Sequence, residues 1–197
     1  MQVSVRMAGA ELARARLAEI GRTVEPVMRG ALNTTATQTR TQQYVQPLRG
    51  TIKGAKARDG MKIKRANSKR LNARIIPSSA GIPVLEYQAW GYDLVDSTGT
   101  RARIWVRGPR GKKIAAGFVN PKGSRRLPLS TRSERSGMTK KRGATTYRYE
   151  HQLRAAIGPS LAHWFKDLTT AQTLRWTNAF LQREFEKRLN QEIAKFG

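Results

Sequence analysis

Apolar residues recur at steps of three and four at both ends of this chain and in short β-branched or aromatic runs in its middle, a pattern that predicts helices flanking strands. From Ala8 to about Arg22, Leu12, Ala15 or Arg16, Ile20 and then Val24 mark the inner stripe of an amphipathic helix, with Gly21 weakening its end. Pro26 suits a first helical turn, where its missing N–H would have no intrahelical partner anyway, so a second helix is predicted from near Glu25. Val27, Ala31 and Thr34 or Thr35 lead it into a polar face through Gln38, Gln42 and Gln43, and Pro47 and Gly50 end it.

In the middle, Ala73 to Ile76, Val84 to Ala89 and Ala102 to Val106 read as strands bounded by Pro77, Pro83, Gly91, Gly99 and Gly108, and we expect them to form one antiparallel sheet. Val95 to Thr100 has the residues of a loop feeding the strand from Arg101 to Arg107, and Tyr147 and Tyr149 alternate with charged residues as on an edge strand. Gln152 to Ile157 shows no clear period, and Gly158-Pro159-Ser160 reads as a break. Beyond it, Leu161, Trp164 or Phe165 and Leu168 give a short apolar face. Thr169 or Thr170 can cap a last helix whose stripe is Leu181, Phe185, Leu189 and Ile193, with Glu184 and Arg188 as a supporting pair.

The expected fold class is α+β: N-terminal helices, a small antiparallel sheet with long basic loops, and a C-terminal helix. We expect one domain of 197 residues, made of a helical arm (1–46), a basic linker (47–72), sheet and basic loops (73–157) and C-terminal helices (158–197).

Charge changes this picture most. Thirty-eight Lys and Arg against thirteen Asp and Glu give a formal net charge of +25. A surface so unbalanced repels itself unless an anionic partner is present, and nucleic acid is the first such partner to consider. From Arg49 to Arg74 there are ten Lys or Arg and one acid, Asp59, with Ser68 and Leu71 suggesting a short helical turn near the end. From Arg101 to Arg142 there are fourteen and one acid, Glu134, and Ser124 to Lys141 reads as an exposed loop. Candidate contacts to phosphates or to an acidic protein neighbour are Lys53, Lys56, Arg58, Lys62, Lys64, Arg65, Lys69 and Arg70, and then Arg107, Arg110, Lys112, Lys113, Arg125 and Arg126. Trp164, Phe165, Trp176, Phe180, Phe185 and Leu189 fall at helical spacing suited to packing or a subunit interface, and neither RNP-type aromatic strands nor helix-turn-helix spacing is present, so sequence-independent contact is expected.

Groups for catalysis are sparse, and we expect binding rather than chemistry, with no cofactor and no metal. The two histidines are His151 and His163, and His163 beside Trp164 reads as a packed or surface histidine. Gly108-Pro109-Arg110-Gly111-Lys112-Lys113 lacks the spacing and the hydroxyl of a phosphate loop and reads as a basic turn. Asp93 and Asp96 have no third ligand nearby in sequence and read as loop acids. Without cysteine there is no disulfide or thiolate site, and no apolar run reaches the roughly eighteen residues a membrane span needs. MQVSVRMAGAELARARLAEI has no signal-peptide core, so a cytosolic product is expected.

The order of several segments resembles the minor tail protein Z family of tailed bacteriophages: IGRTVEPVMRGALNTTATQTRTQ, KRLNARI, IPVLEYQAW, Lys112 to Val119, RRLPLSTRS and LRAAIGPSLAHWF. The most telling pieces are Ala31-Leu32-Asn33 followed by Thr35-Ala36, then Ala116-Gly117-Phe118-Val119, and Ile157-Gly158-Pro159-Ser160. The resemblance implies a virion structural protein, a tail completion protein acting at the head-proximal end of the tail and helping to form the head-tail junction through which genomic DNA passes. It implies other tail and neck proteins as partners (a tail terminator, a head-tail connector), a homo-oligomeric ring, often of six copies, and residence in the virion after assembly in the host cytoplasm. The basic loops are expected to meet genomic DNA backbone or acidic partner surfaces, and no membrane is expected. A free-standing, sequence-independent nucleic-acid-binding protein, ribosomal or nucleoid-like, is the alternative.

Overall fold

The computed structural model describes residues 9–19, 23–95, 102–119, 126–131 and 153–195, and the chain is α+β, as expected. Its residues group into two compact units that interleave along the sequence. One contains the chain up to Arg49, Lys53–Ala80 and everything from Leu161; the other contains Gly50–Ile52 and Gly81–Ser160. The Asp96 to Thr100 part of the expected loop, Tyr147, Tyr149 and His151 lie outside the described residues.

The first unit is built on helices α1 (Ala10–Glu19), α2 (Glu25–Thr39), α3 (Gly54–Asp59), α4 (Leu161–Leu168) and α5 (Ala171–Ile193), with strands β1 (Met61–Lys64) and β2 (Arg74–Pro77). Ala13 and Leu17 of α1, Val24, Val27 and Ala31 of the α2 region, and Leu181 and Phe185 of α5 form one buried cluster, with Met28, Leu32, Leu189 and Ile193 packed around it. The α5 stripe is the one its spacing predicts. The α1 stripe is so only at Val24: Leu12 is 60% exposed, Ala15 and Arg16 are exposed, Ile20 lies outside the described residues, and the helix turns Ala13 and Leu17 inward instead. With alanine on both sides, α1 approaches its neighbours through the small Ala13, and hydrophobicity alone does not fix its rotation.

Pro26 sits in the first turn of α2, as predicted. Thr170, in extended conformation, caps α5 by accepting a hydrogen bond from the Thr173 amide at 3.2 Å. Gly30 leaves room on α2 for the Arg188 guanidinium, which donates to Thr34 Oγ1 at 3.0 Å and to Glu184 Oε1 at 2.7 Å, fastening α5 across α2. The α2 helix continues into a π-helical segment, Arg40–Val45, where the Gln46 amide reaches back to the Thr41 carbonyl at 2.9 Å. Thr37 and Thr41 donate to the carbonyls four residues earlier, which favours a bend here. The wider turn seats Tyr44 against Phe165 with ring centroids 4.2 Å apart.

The second unit holds β3 (Gly81–Pro83), β4 (Trp90–Leu94), β5 (Ala102–Gly108), β6 (Gly111–Ile114), β7 (Leu129–Thr131), β8 (Leu153–Ala155) and β9 (Ile157–Ser160). The expected single sheet is replaced by separate antiparallel ladders: β1 with β2 in the first unit, and β3 with β9, β4-β5-β6, and β7 with β8 in the second. Val84 to Ala89 is not a strand. Val84–Glu86 is a 3-10 turn, and only Tyr87 keeps a bridge, to Ile52. The Gly158-Pro159-Ser160 break is in fact strand β9, and Ser124 to Lys141 contains β7, the rest of it beyond Thr131 and before Arg126 lying outside the described residues. Ile52, Ile82, Val84, Tyr87, Ile104, Val106, Ala115, Val119 and Ala156 are buried in this unit.

Two of the segments quoted above meet here. Ala116 and Ile157 exchange backbone hydrogen bonds at 3.2 and 3.3 Å, and Phe118 bridges Leu129. Gly117 lies between them at φ +146°, where a Cβ would run into Ala156 and the Leu129 carbonyl, so a side chain is excluded both by conformation and by space. The Tyr87 hydroxyl donates to the Pro159 carbonyl at 2.6 Å, and its ring occupies the space a Cβ at Gly158 would need.

Burial raises the Tyr44 phenol above its ordinary value of 10.0, and the hydrogen bond with Thr169 at 3.0 Å offsets only part of that. A phenol that binds its proton more tightly when folded leaves stability unaffected below the ordinary value and removes it as pH rises through the raised one. The melting temperature should therefore fall more steeply above pH 10.0 in the wild-type protein than in Tyr44→Phe. The two proteins differ in this one group, so the difference in slope measures Tyr44.

Candidate nucleic-acid interface

The stretch expected to be a basic linker is folded. Ala57, Met61 and Ala66 are buried, and they recur among the cations so that α3 and β1 each turn one face inward. In β1, Met61 and Ile63 face the unit's interior side while Lys62 and Lys64 are exposed, the alternation a pleated strand imposes. β2 pairs antiparallel with it, Met61 opposite Pro77, Lys62 opposite Ile76, Ile63 opposite Ile75 and Lys64 opposite Arg74. The ribbon therefore presents Lys62, Lys64, Arg74 and Ile76 on one exposed face.

Three attachments hold this ribbon in place. The Asn33 side chain on α2 donates through Nδ2 to the Ala66 carbonyl at 3.1 Å and accepts through Oδ1 from the Ala66 amide at 2.8 Å, satisfying both backbone groups of one residue. Arg40 Nη1 donates to the Met61 carbonyl at 3.3 Å. At the base, Leu161 packs over Gly60, the Ser78 amide donates to the Gly60 carbonyl at 2.8 Å, and the Ala162 amide donates to the Ser78 carbonyl at 2.9 Å. The tip is a turn rather than a helix: Asn67 Oδ1 accepts from the amides of Lys69 and Arg70 at 3.1 and 2.9 Å.

Lys62, Lys64, Arg65, Lys69, Arg70 and Arg74 are exposed, and among the described residues none is ion-paired with an acid. Lys64 and Arg74 stand directly opposite, an arrangement that repels in the free protein and that an anion bridging the two would relieve. Lys53, Lys56 and Arg58 are exposed on or just before α3. Arg74 was not among the expected contacts, although its pairing with Lys64 makes it part of the same face.

The second set belongs to the other unit. Arg107 lies opposite Lys112 on the β5–β6 hairpin, Pro109 and Arg110 form its two-residue turn, and Gly111 takes φ +108°, so the segment is the basic turn that its composition predicted. Lys113 does not join them: it pairs with Val106 on the sheet's opposite face and is half-buried. Arg126 is exposed, and Arg125 lies outside the described residues.

The face that Arg107 and Lys112 share also carries Arg103, Trp105, Asp93 and Ile114. The Trp105 ring lies across Gly91, where a Cβ would collide with it, and Nε1 donates to Asp93 Oδ1 at 3.1 Å. Lys112 Nζ sits over the ring, 4.2 Å from its centroid and 4.0 Å from Asp93 Oδ1. Neither Arg103 nor Trp105 was expected at an interface, although the alternation of ARIWVRG, with Ile104 and Val106 buried, carries the signal.

Comparison with protein-family models, with curated proteins and with solved structures finds no match.

Among the described residues no group of three His, Cys, Asp or Glu side chains could hold a metal ion, and no helix is long and apolar enough to cross a membrane. Asp93 is engaged with Trp105 and Lys112, while Asp96 lies outside the described residues. His163 stands edge-on to Trp164 at 4.9 Å and 3.7 Å from Asp167. Trp164 and Phe185 are fully buried and Phe165 nearly so, so these three pack the chain's own interior; Leu189 lines the helical cluster. Trp176 and Phe180 stack at 5.2 Å, half-buried, on α5.

Replacing Asn33 with Ala leaves the Ala66 amide and carbonyl without partners, which should cost about 1–3 kcal/mol. Urea denaturation would measure that loss, and hydrogen exchange should show protection falling at Ala66 and its neighbours more than in α5. Unchanged protection at Ala66 would mean that the clamp does not hold the ribbon.

Proposed function

We propose that this chain is a structural virion protein that completes a phage tail at its head-proximal end and helps form the junction through which genomic DNA passes. The order of the sequence segments supports that reading. The observation that carries it is the β1–β2 ribbon: a fixed cationic face with no ion-paired acid among the described residues, suited to DNA backbone or to an acidic neighbouring protein. Such a face works by electrostatic binding and needs no catalytic group. In this reading the chain assembles in the host cytoplasm into a ring, with a tail terminator and a head-tail connector as neighbours, and remains in the virion.

A free-standing nucleic-acid-binding protein is the second reading, favoured by the separate basic and aromatic face around Trp105. Tight binding of the isolated chain to random duplexes, combined with its absence from purified particles, would select it.

Neutralising Lys62, Lys64, Arg65, Lys69 and Arg70 together should reduce head-tail joining at least about tenfold, because each lost phosphate contact weakens binding. The melting temperature should hold or rise, since these side chains are exposed and repel one another. If DNA backbone is the partner, the slope of log K against log salt for duplex DNA should become shallower by about 0.9 for each phosphate contact removed. Normal joining and infectivity in the variant would reduce the ribbon to a solvated face.

A further inference from the structure

We propose that the outer face of the β4-β5-β6 sheet is a platform for single-stranded nucleic acid, on which an unpaired base stacks against Trp105 while Arg103, Arg107 and Lys112 hold the neighbouring phosphates. This goes beyond backbone binding by the β1–β2 ribbon and uses different residues in the other unit.

The geometry of the ring carries the inference. Gly91 leaves room for the indole to lie across β4, and the hydrogen bond from Nε1 to Asp93 fixes its edge, so a π-face is presented in a set orientation. The cover over that face is the Lys112 ammonium, whose side chain is 56% exposed and whose ion pair with Asp93, 66% exposed, is long, 4.0 Å. A pair of that kind is weak, so the ammonium can leave the ring for a phosphate at little cost. Arg103 and Arg107 stand two residues to either side of Trp105 on the same strand face, roughly 13 Å apart, with the ring midway. Ile114, 65% exposed and directly opposite Trp105, extends the apolar surface on which a sugar or base edge can rest.

Charge complementarity selects the occupant. Three cations to one acid around an aromatic ring suit a ligand that alternates phosphates with flat π-systems, and single-stranded nucleic acid is that ligand. A duplex keeps its bases stacked inside and offers phosphates only. An acidic peptide satisfies the cations and leaves the ring without a stacking partner.

The test compares fluorescence anisotropy of the intact chain with labelled oligothymidylate, an abasic strand of equal length, and duplex DNA at one ionic strength. The wild-type protein should bind oligothymidylate about tenfold more tightly than the abasic strand. Trp105→Ala should abolish that preference while leaving abasic and duplex binding in place, and Trp105→Phe should retain most of it. Tryptophan fluorescence should be quenched by oligothymidylate in the wild type and much less in Trp105→Phe. Equal affinity of the wild type for the two strands, or a preference that survives Trp105→Ala in a folded protein, overturns the platform. Should the alanine variant fail to fold, the wild-type ratio and the quenching comparison decide alone. Loss of the preference with duplex binding intact leaves the ribbon reading standing, and the reverse result leaves the platform standing.

Discussion

One asparagine side chain fixes where much of the charge of the helical unit is displayed. Asn33 occupies both hydrogen-bonding groups of Ala66, just past the end of β1, and so ties the cationic ribbon to the same α2 helix that supplies Val27 and Ala31 to the buried cluster. Without it, a strand carrying Lys62 and Lys64 against Arg74 would have to stay paired against its own repulsion, with Met61 and the half-buried Ile63 and Ile75 as the main apolar anchors. Arg40 at the head of the π-helical segment and Leu161 over Gly60 supply the other attachments. The helical core thus acts on the charged surface through a few directed contacts rather than through broad burial.

The helices were legible because their information is local. The period of Leu181, Phe185, Leu189 and Ile193, the proline at position 26 and the threonine at 170 each act within a turn or two, and all three hold in the structure. The α1 rotation is not legible in the same way, because alanines on several faces leave Leu12 and Leu17 nearly equivalent as anchors, and the choice between them is made by packing against α2 and α5. The sheet failed for the opposite reason. β3 pairs with β9 and Ala116 with Ile157, partners dozens of residues apart that no local pattern announces.

The same division runs through the candidate surfaces. That Lys62 and Lys64 share an exposed face can be read from their alternation with Met61 and Ile63, but that Arg74 joins them depends on register. Arg103, Trp105 and Arg107 alternate with Ile104 and Val106 just as clearly, yet an aromatic residue in a β-branched run is easily taken for core. The segments whose order supports the proposed tail-protein reading serve as joints: Asn33 on the ribbon, Ala116 to Val119 against Ile157 and Leu129, and Gly158 beneath Tyr87. The residues proposed to bind lie on the surfaces those joints support.

The unrelieved opposition of Lys64 and Arg74 makes ionic strength act on this protein in two directions at once. Added salt screens the ribbon's self-repulsion and so favours the folded chain, while the same screening weakens attachment to a polyanion. The free chain is therefore most strained in dilute buffer, the condition under which the proposed attachment to a polyanion would be strongest. A bound polyanion would resolve that conflict by neutralising the ribbon directly, and would then be a ligand for folding as well as for the proposed function. Assembly on such a partner would then tighten the very surface that recognises it.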